Sequence, residues 1–409
     1  MSARSVRFTL YREPYEDEYI AEGEVVVMHR SLSLAFSLFL SVALAGCHEA
    51  QRAPSLRTAD SWGIGPYSSS HTTLKVTAAT LGEELTVELW YPGSAPAPSE
   101  SPLTSFERSS EAREALEELL QAAPESCPTA STQSHRDGQP RTDLGARPLV
   151  IFSHCHNCGR YSSFSLAERL ASHGLLVLSV DHAGALPFLE SSQGELLSRD
   201  QLDVRVSQII QLLDVTLDDS LFEDSALLRG LEVDPERVGI FGHSFGSVTA
   251  GRVAQLDARI SAVAGLAAPM ENLLLPGVEM SEIKVPVLLV LAEEDNSIQE
   301  IGNTLLRANY DDANPPVWRV DLADAGHWSV SDLCGLTEQF LAGCGAGIRH
   351  SPGRAGESFE FIPVKRGIQL TRDYLTAFFL AHLSERDDAL QRLRPTAARG
   401  GVQVYERRE

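Results

Sequence analysis

Basic residues are scarce in this chain: 34 Lys and Arg stand against 56 Asp and Glu over 409 residues, a formal charge of −22. A surface of that sign repels phosphate backbones, which excludes nucleic acid as a partner; otherwise it serves solubility. Long hydrophobic runs are missing too. The apolar stretch from Ser31 to Leu44 is too short and too serine-rich to span a bilayer. There are six cysteines, Cys47, Cys127, Cys155, Cys158, Cys334 and Cys344, and no second C-x-x-C or H-x-x-x-H lies near Cys155 and Cys158. That spacing argues against a zinc module or any other metal site, even with His154 and His156 alongside. A thioredoxin-like role fits no better, because Cys155 follows a strand and does not open a helix. No internal repeat is visible. The remainder, 43% hydrophobic and 22% charged, is that of a soluble globular protein, long enough for one large α/β domain with insertions or for two smaller ones.

The N-terminus speaks to compartment. Residues 1–27 are acidic and aromatic, and they read as a mis-assigned extension ahead of a true start at Met28. From Met28-His29-Arg30 the chain has a short basic region and an apolar core of signal-peptide length, ending in Leu44-Ala45-Gly46-Cys47. This ending resembles a bacterial lipobox, so 28–46 reads as a lipoprotein-type signal peptide, with Cys47 lipidated and 47–60 a tether. Several acyl chains on one cysteine anchor a protein stably. His48 stands where inner-membrane retention signals carry Asp. The expectation is an exported protein of the bacterial cell envelope, held on the outer membrane with the membrane as partner. An ordinary cleaved signal or a buried cysteine is the alternative.

From about residue 61 to 395 the pattern is α/β. Thr72–Ala79 and Leu85–Tyr91 alternate apolar and polar residues around Gly82-Glu83, which predicts a hairpin. Residues 94–147 are rich in Pro, Ser and Glu, with one helical stripe at Ala112, Ala115, Leu116, Leu119 and Leu120. This inserted helical segment is either a lid or a surface elaboration. Strands follow at Leu149–Ser153, Leu175–Val180, Val238–Phe241, Ala262–Leu266, Val287–Leu291 and Val317–Asp321, the last of the series. Helices are predicted at Ser163–His173, Arg199–Leu217 and Gly367–Arg394, and 396–409 reads as a C-terminal tail. Short apolar runs alternating with helices imply a mostly parallel central sheet covered on both faces.

The chemistry concentrates at Gly242-His243-Ser244-Phe245-Gly246, a G-x-S-x-G between a strand and a helix. That context is a nucleophile elbow, whose sharp turn favours glycine two residues to either side of the serine. A serine hydroxyl needs a positioned base. In the Ser…Asp/Glu…His order, the acid follows Val287–Leu291, where Glu293-Glu294-Asp295 stand, and the base follows Val317–Asp321, where Gly326-His327 stand. Asp295 is favoured over Glu294 and Glu293 by its distance past the strand. Asp324 lies too close in sequence to His327 to orient it. The oxyanion would be met by the N–H of Phe245 and a second from the His154–Arg160 loop, that of His156. In an exported protein the cysteines read as disulfides, Cys155–Cys158 stiffening that loop and Cys334–Cys344 stapling the segment after His327, with Cys127 left over.

These motifs, with Gly65-Pro66-Tyr67, Leu85 to Pro92, Phe152-Ser153-His154, Leu170 to Gly174, Val180-Asp181-His182 and Ala325-Gly326-His327, resemble the bacterial branch of the α/β-hydrolase superfamily related to platelet-activating factor acetylhydrolase and dienelactone hydrolase. The resemblance runs from about Gly63 to Leu383. It implies an α/β-hydrolase fold, Ser244 as nucleophile, His327 as base, and Phe245 and His156 as oxyanion donors. Two departures stand out. Cys155, Asn157 and Cys158 replace the glycines usual in the oxyanion loop. The acetylhydrolases carry their acid after the strand following the elbow, where this chain has Gly265 to Pro269 and no carboxylate, so the acid moves to Asp295. The expected activity is hydrolysis of carboxylic esters with short or medium acyl groups through an acyl-enzyme, without cofactor, falling as His327 protonates in mild acid. A lipid- or polyester-directed hydrolase and a non-catalytic hydrolase-like binding protein are the rival readings.

Overall fold

Alternation along the central strands sets the architecture. In β4 (Arg147–Ser153) Val150 and Phe152 enter one core while Leu149 and Ile151 enter another. In β8 (Val287–Ala292) Leu288, Val290 and Ala292 divide in the same way from Val287, Leu289 and Leu291. A strand with apolar residues on both sides needs cover on both faces. Helices α2 (Phe164–Ser172) and α6 (Val364–Leu383) supply it on the first; α3 (Arg199–Leu217), α4 (Phe245–Leu256) and α5 (Gln299–Asp312) supply it on the second.

The computed structural model describes residues 63–78, 82–94, 100–128, 131–182, 197–218, 220–223, 225–335, 343–394 and 401–408, together with the strands Arg4–Val6 and Val25–Val27. Those two strands pair antiparallel within a separate unit, Met1–Arg52. The segments expected to be signal peptide and tether, Cys47 included, lie outside the described residues. Among the described residues no helix is long and apolar enough to cross a membrane.

The main sheet has ten strands. The remaining ones are β1 (Ser68–Ala78), β2 (Glu83–Gly93), β3 (His135–Arg136), β5 (Leu176–Val180), β6 (Val233–His243), β7 (Ile260–Leu266), β9 (Val317–Leu322) and β10 (Val402–Arg408). Their order is β10-β9-β8-β7-β6-β4-β5-β2-β1-β3. Strands β5, β4, β6, β7, β8 and β9 run parallel, and the β1–β2 hairpin joins them antiparallel through β2. The chain crosses the sheet in both directions from β4, so the ends of β4, β6, β8 and β9 deliver their loops to one edge. This is the α/β-hydrolase fold, as the family resemblance implied.

Two expectations are corrected. Residues 402–408 are not a tail: β10 pairs antiparallel with β9 and closes that edge, with Glu406 bonded to Arg319 at 3.0 Å. The stretch Gly367–Arg394 is not one helix, because α6 ends at Leu383, Glu385 takes a positive φ of 51°, and a short helix, Asp387–Arg392, follows.

The insertion holds α1 (Ser110–Ala122), capped by Ser109 Oγ accepting from the Ala112 N–H at 3.1 Å, with Leu116 and Leu119 buried. Phe106 just before it lies fully buried, its ring 5.3 Å from Tyr161 and 5.4 Å from Phe164. Arg160 donates to the Phe106 carbonyl at 2.6 Å. At the other end Cys127 is disulfide-bonded to Cys344, with Cα atoms 5.5 Å apart. The described part of the insertion is thus tied to the domain by a buried hydrogen bond at one end and a covalent bond at the other. The expected Cys334–Cys344 pair is thereby overturned: Cys334 is a free, buried thiol whose Sγ lies 3.1 Å from the Gly343 carbonyl. A 217-residue separation makes Cys127–Cys344 worth up to about 5 kcal/mol by chain entropy. The Cys127→Ser/Cys344→Ser pair should therefore lower the urea midpoint markedly, and Cys334→Ser should leave it nearly in place.

Candidate active site

Strand β6 drives into Ser244, and α4 leaves from Phe245. Ser244 has φ 56° and ψ −121°, a strained conformation for a residue with a Cβ. The flanking glycines are sterically required. A methyl group at Gly242 would overlap the Gly246 carbonyl, and one at Gly246 would overlap the Ser153 carbonyl. The turn thus packs backbone on backbone and leaves only the serine side chain free to project.

His327 Nε2 lies 2.9 Å from Ser244 Oγ, and His327 Nδ1 lies 2.7 Å from Asp295 Oδ2. Asp295 Oδ1 accepts from the N–H groups of Ser297 and Ile298 at 2.9 and 2.8 Å. His327 and Asp295 are each 1% exposed, whereas Ser244 is half-buried and reachable. The rivals of Asp295 are engaged elsewhere. Fully buried Glu294 accepts from Arg349, Ser351 Oγ and the His350 and Ser351 N–H groups. Burial raises its pKa, but those bonds outweigh it and hold it below the usual carboxylate value. Glu293 Oε2 accepts from the Asp324 N–H at 3.2 Å, and Asp324 pairs with Arg349 at 2.7 Å.

Backbone around His327 is anchored by groups that sequence reasoning missed. His243, the variable residue of the elbow, faces the His327 carbonyl at 3.0 Å through Nε2. Burial and the neighbouring His327 keep its pKa well below the ordinary imidazole value, so it is neutral. The His327 N–H donates to Asn296 Oδ1 at 3.3 Å. Gly326 precedes His327 on this loop. It has no positive φ; a Cβ there would stand 2.7 Å from the Phe361 ring, so the constraint is close packing.

The oxyanion candidates lie across from this. Phe245 is the first residue of α4, so its N–H has no acceptor within the helix. The His156 ring stands edge-on to the Phe245 ring at 6.2 Å. Burial, then Arg205, lowers the His156 pKa to about 4. Cys155 and Cys158 are disulfide-bonded to each other, Cα atoms 5.2 Å apart. Asn157 adopts φ 55°, a left-handed conformation that asparagine tolerates better than most residues, which accounts for one missing glycine. Both ring nitrogens of His154 are occupied, Nδ1 by the Cys155 carbonyl at 2.7 Å and Nε2 by the His182 N–H at 3.2 Å. Arg160, which closes the loop, clamps Asp181 through its N–H and Nη1, both at 2.7 Å, and buried Glu88 through Nε at 3.0 Å.

The segment after His327 is stitched to the start of α2. Ser331 Oγ donates to the Ser162 carbonyl at 2.9 Å, and the Ser165 N–H donates to Asp332 Oδ2 at 2.8 Å. Burial pushes the Asp332 pKa up to about 6. A carboxyl raised in the folded state stabilises it fully at low pH, and that contribution is lost as pH rises through about 6. Relative to wild type, Asp332→Asn should gain stability between pH 4.5 and 7, read from urea midpoints at each pH.

The comparisons with known proteins bear on the fold and on the reaction class. Residues 158–304 match the family model described as PET hydrolase-like. A probable 1-alkyl-2-acetylglycerophosphocholine esterase of Arthroderma benhamiae is 26% identical over 271 residues, 64% of this chain; the chain spans 65% of the length of that relative. The structure of a ferulic acid esterase from Streptomyces cinnamoneus superposes with a TM-score of 0.57 at 22% identity, over 86% of this chain and 97% of the other. The fold is thus shared with an esterase over most of this chain, and the elbow lies inside the segment that matches the PET hydrolase-like model.

Proposed function

We propose that this protein is a serine hydrolase that cleaves carboxylic esters with short to medium acyl groups. The observation that carries this is the unbroken line Ser244 Oγ–His327 Nε2 (2.9 Å) and His327 Nδ1–Asp295 Oδ2 (2.7 Å), set at a strained elbow. His327, its Nδ1 proton held by Asp295, takes the Ser244 proton as Oγ attacks the ester carbonyl. The Phe245 and His156 N–H groups meet the oxyanion. Collapse expels the alcohol, which takes its proton from His327. Water, deprotonated by the same imidazole, then attacks the acyl-serine, and the carboxylic acid leaves as Ser244 regains its proton.

The names of the similar proteins support the reaction class, since each denotes an ester hydrolase. They differ in the ester named, so the acyl and alcohol groups rest on experiment. The proposed location is the bacterial envelope, with Cys47 lipidated and the domain tethered to a membrane; the pattern Leu44-Ala45-Gly46-Cys47 supports it. A lipid or polyester surface is then the second reading.

A fluorophosphonate should label one residue, mapped by peptide mass to Ser244, and labelling should track loss of p-nitrophenyl acetate, butyrate and octanoate turnover. Labelling elsewhere, or no turnover of any ester, would sink the proposal and favour a binding protein. Preference for octanoate in micelles over soluble butyrate would favour the lipid reading.

A further inference from the structure

We propose that Arg205 is the positioning residue that aims the His156 N–H at the oxyanion, an inference that rests on the serine-hydrolase reading above. Arg205 lies on α3, 5% exposed, and forms no ion pair with an acid among the described residues. A buried cation is costly unless its donors are satisfied. Arg205 satisfies them on the oxyanion loop: Nη1 donates to the His154 carbonyl at 2.7 Å and Nη2 to the Cys155 carbonyl at 3.2 Å. Its guanidinium carbon lies 4.4 Å from the centre of the Phe245 ring. Burial lowers its pKa only to about 9, so it is cationic at neutral pH.

Peptide geometry converts these contacts into a direction. The only cis bond among the described residues is Pro315–Pro316, so the Cys155–His156 peptide is trans. In a planar trans peptide the carbonyl and the N–H point to opposite sides. Gripping the Cys155 oxygen toward α3 therefore turns the His156 N–H away from α3. His154 Nδ1 holds the same oxygen at 2.7 Å, and the His156 N–H donates to no group among the described residues. Arg205 thus touches both halves of the hole, through the loop that carries one donor and through the ring of the residue that carries the other. Its uncompensated charge also favours negative charge building on the substrate oxygen. A loop lacking the usual glycines has its peptide plane set from outside.

The test compares Arg205→Met and Arg205→Lys with wild type, with kcat expressed per active site titrated by the fluorophosphonate. Arg205→Met should lower kcat about 100-fold, the range for loss of one oxyanion donor, with KM changed less than about threefold. Lysine, which keeps the charge and can reach one carbonyl, should fall between, at about tenfold. A crystal structure of Arg205→Met should show the Cys155–His156 peptide rotated. If the role were structural alone, the titratable fraction would fall while kcat per site held, and the proposal would be overturned. Should Arg205→Met not fold, an unchanged kcat per site in Arg205→Lys overturns it equally. Failure of the hydrolase reading looks different: Ser244→Ala would match wild type, and the peptide orientation in the Arg205→Met crystal would still decide what Arg205 holds.

Discussion

Ser244→Ala should lower kcat for p-nitrophenyl butyrate by about 10⁶-fold, His327→Ala should do nearly the same, and the double substitution should cost no more than either alone. The reason is the single proton path: Oγ attacks only while Nε2, 2.9 Å away, takes its hydrogen. Without either partner the other contributes nothing to bond formation. What survives is the oxyanion hole and binding, so KM stays within a few-fold. A second readout separates chemistry from folding. The φ of 56° at Ser244 is a strained value, and such positions hold about 1–3 kcal/mol. Ser244→Gly should therefore be as inactive as Ser244→Ala yet show a higher urea midpoint than wild type. An alanine variant retaining more than about a hundredth of the wild-type kcat would remove Ser244 from the mechanism.

How far the sequence spoke depends on how local each signal is. The parallel core was legible because every central strand carries apolar residues on both faces, as in β8. The elbow was legible because Gly242 and Gly246 answer to backbone clashes within a few residues. Asp295 and His327 could be picked by their distance past strands, since strand ends deliver loops to one edge. Tertiary partners were not legible. Cys127–Cys344 spans 217 residues, and nothing near Cys334 in sequence says that it lies beside that pair without joining it. The edge strand β10 lies beyond the last helix, and its place depends on the edge of β9 that it pairs with. Arg205 sits in a helix whose pattern reads as amphipathic; only the fold brings its guanidinium to the His154 and Cys155 carbonyls.

Among the three consecutive acids, geometry sharply separates two effects. Asp295→Asn should cost about 10⁴ in kcat with little change in stability. The structure dictates which way the new amide sits. Oδ1 of residue 295 accepts from the Ser297 and Ile298 N–H groups at 2.9 and 2.8 Å, so the amide oxygen must stay there. The NH₂ then faces His327 Nδ1, across the 2.7 Å contact that Oδ2 now fills. Two donors cannot share that contact, so His327 moves its proton to Nε2 and presents N–H to Ser244 where a lone pair is needed. Glu294→Gln should behave in the opposite way. Its carboxylate holds Arg349, Ser351 and the His350 N–H, not the imidazole. Losing the charge should cost about 2 kcal/mol of stability and leave kcat within about threefold. Urea midpoints and titrated kcat values for the two variants decide it: an inactive but stable Glu294→Gln beside an active Asp295→Asn would exchange their roles.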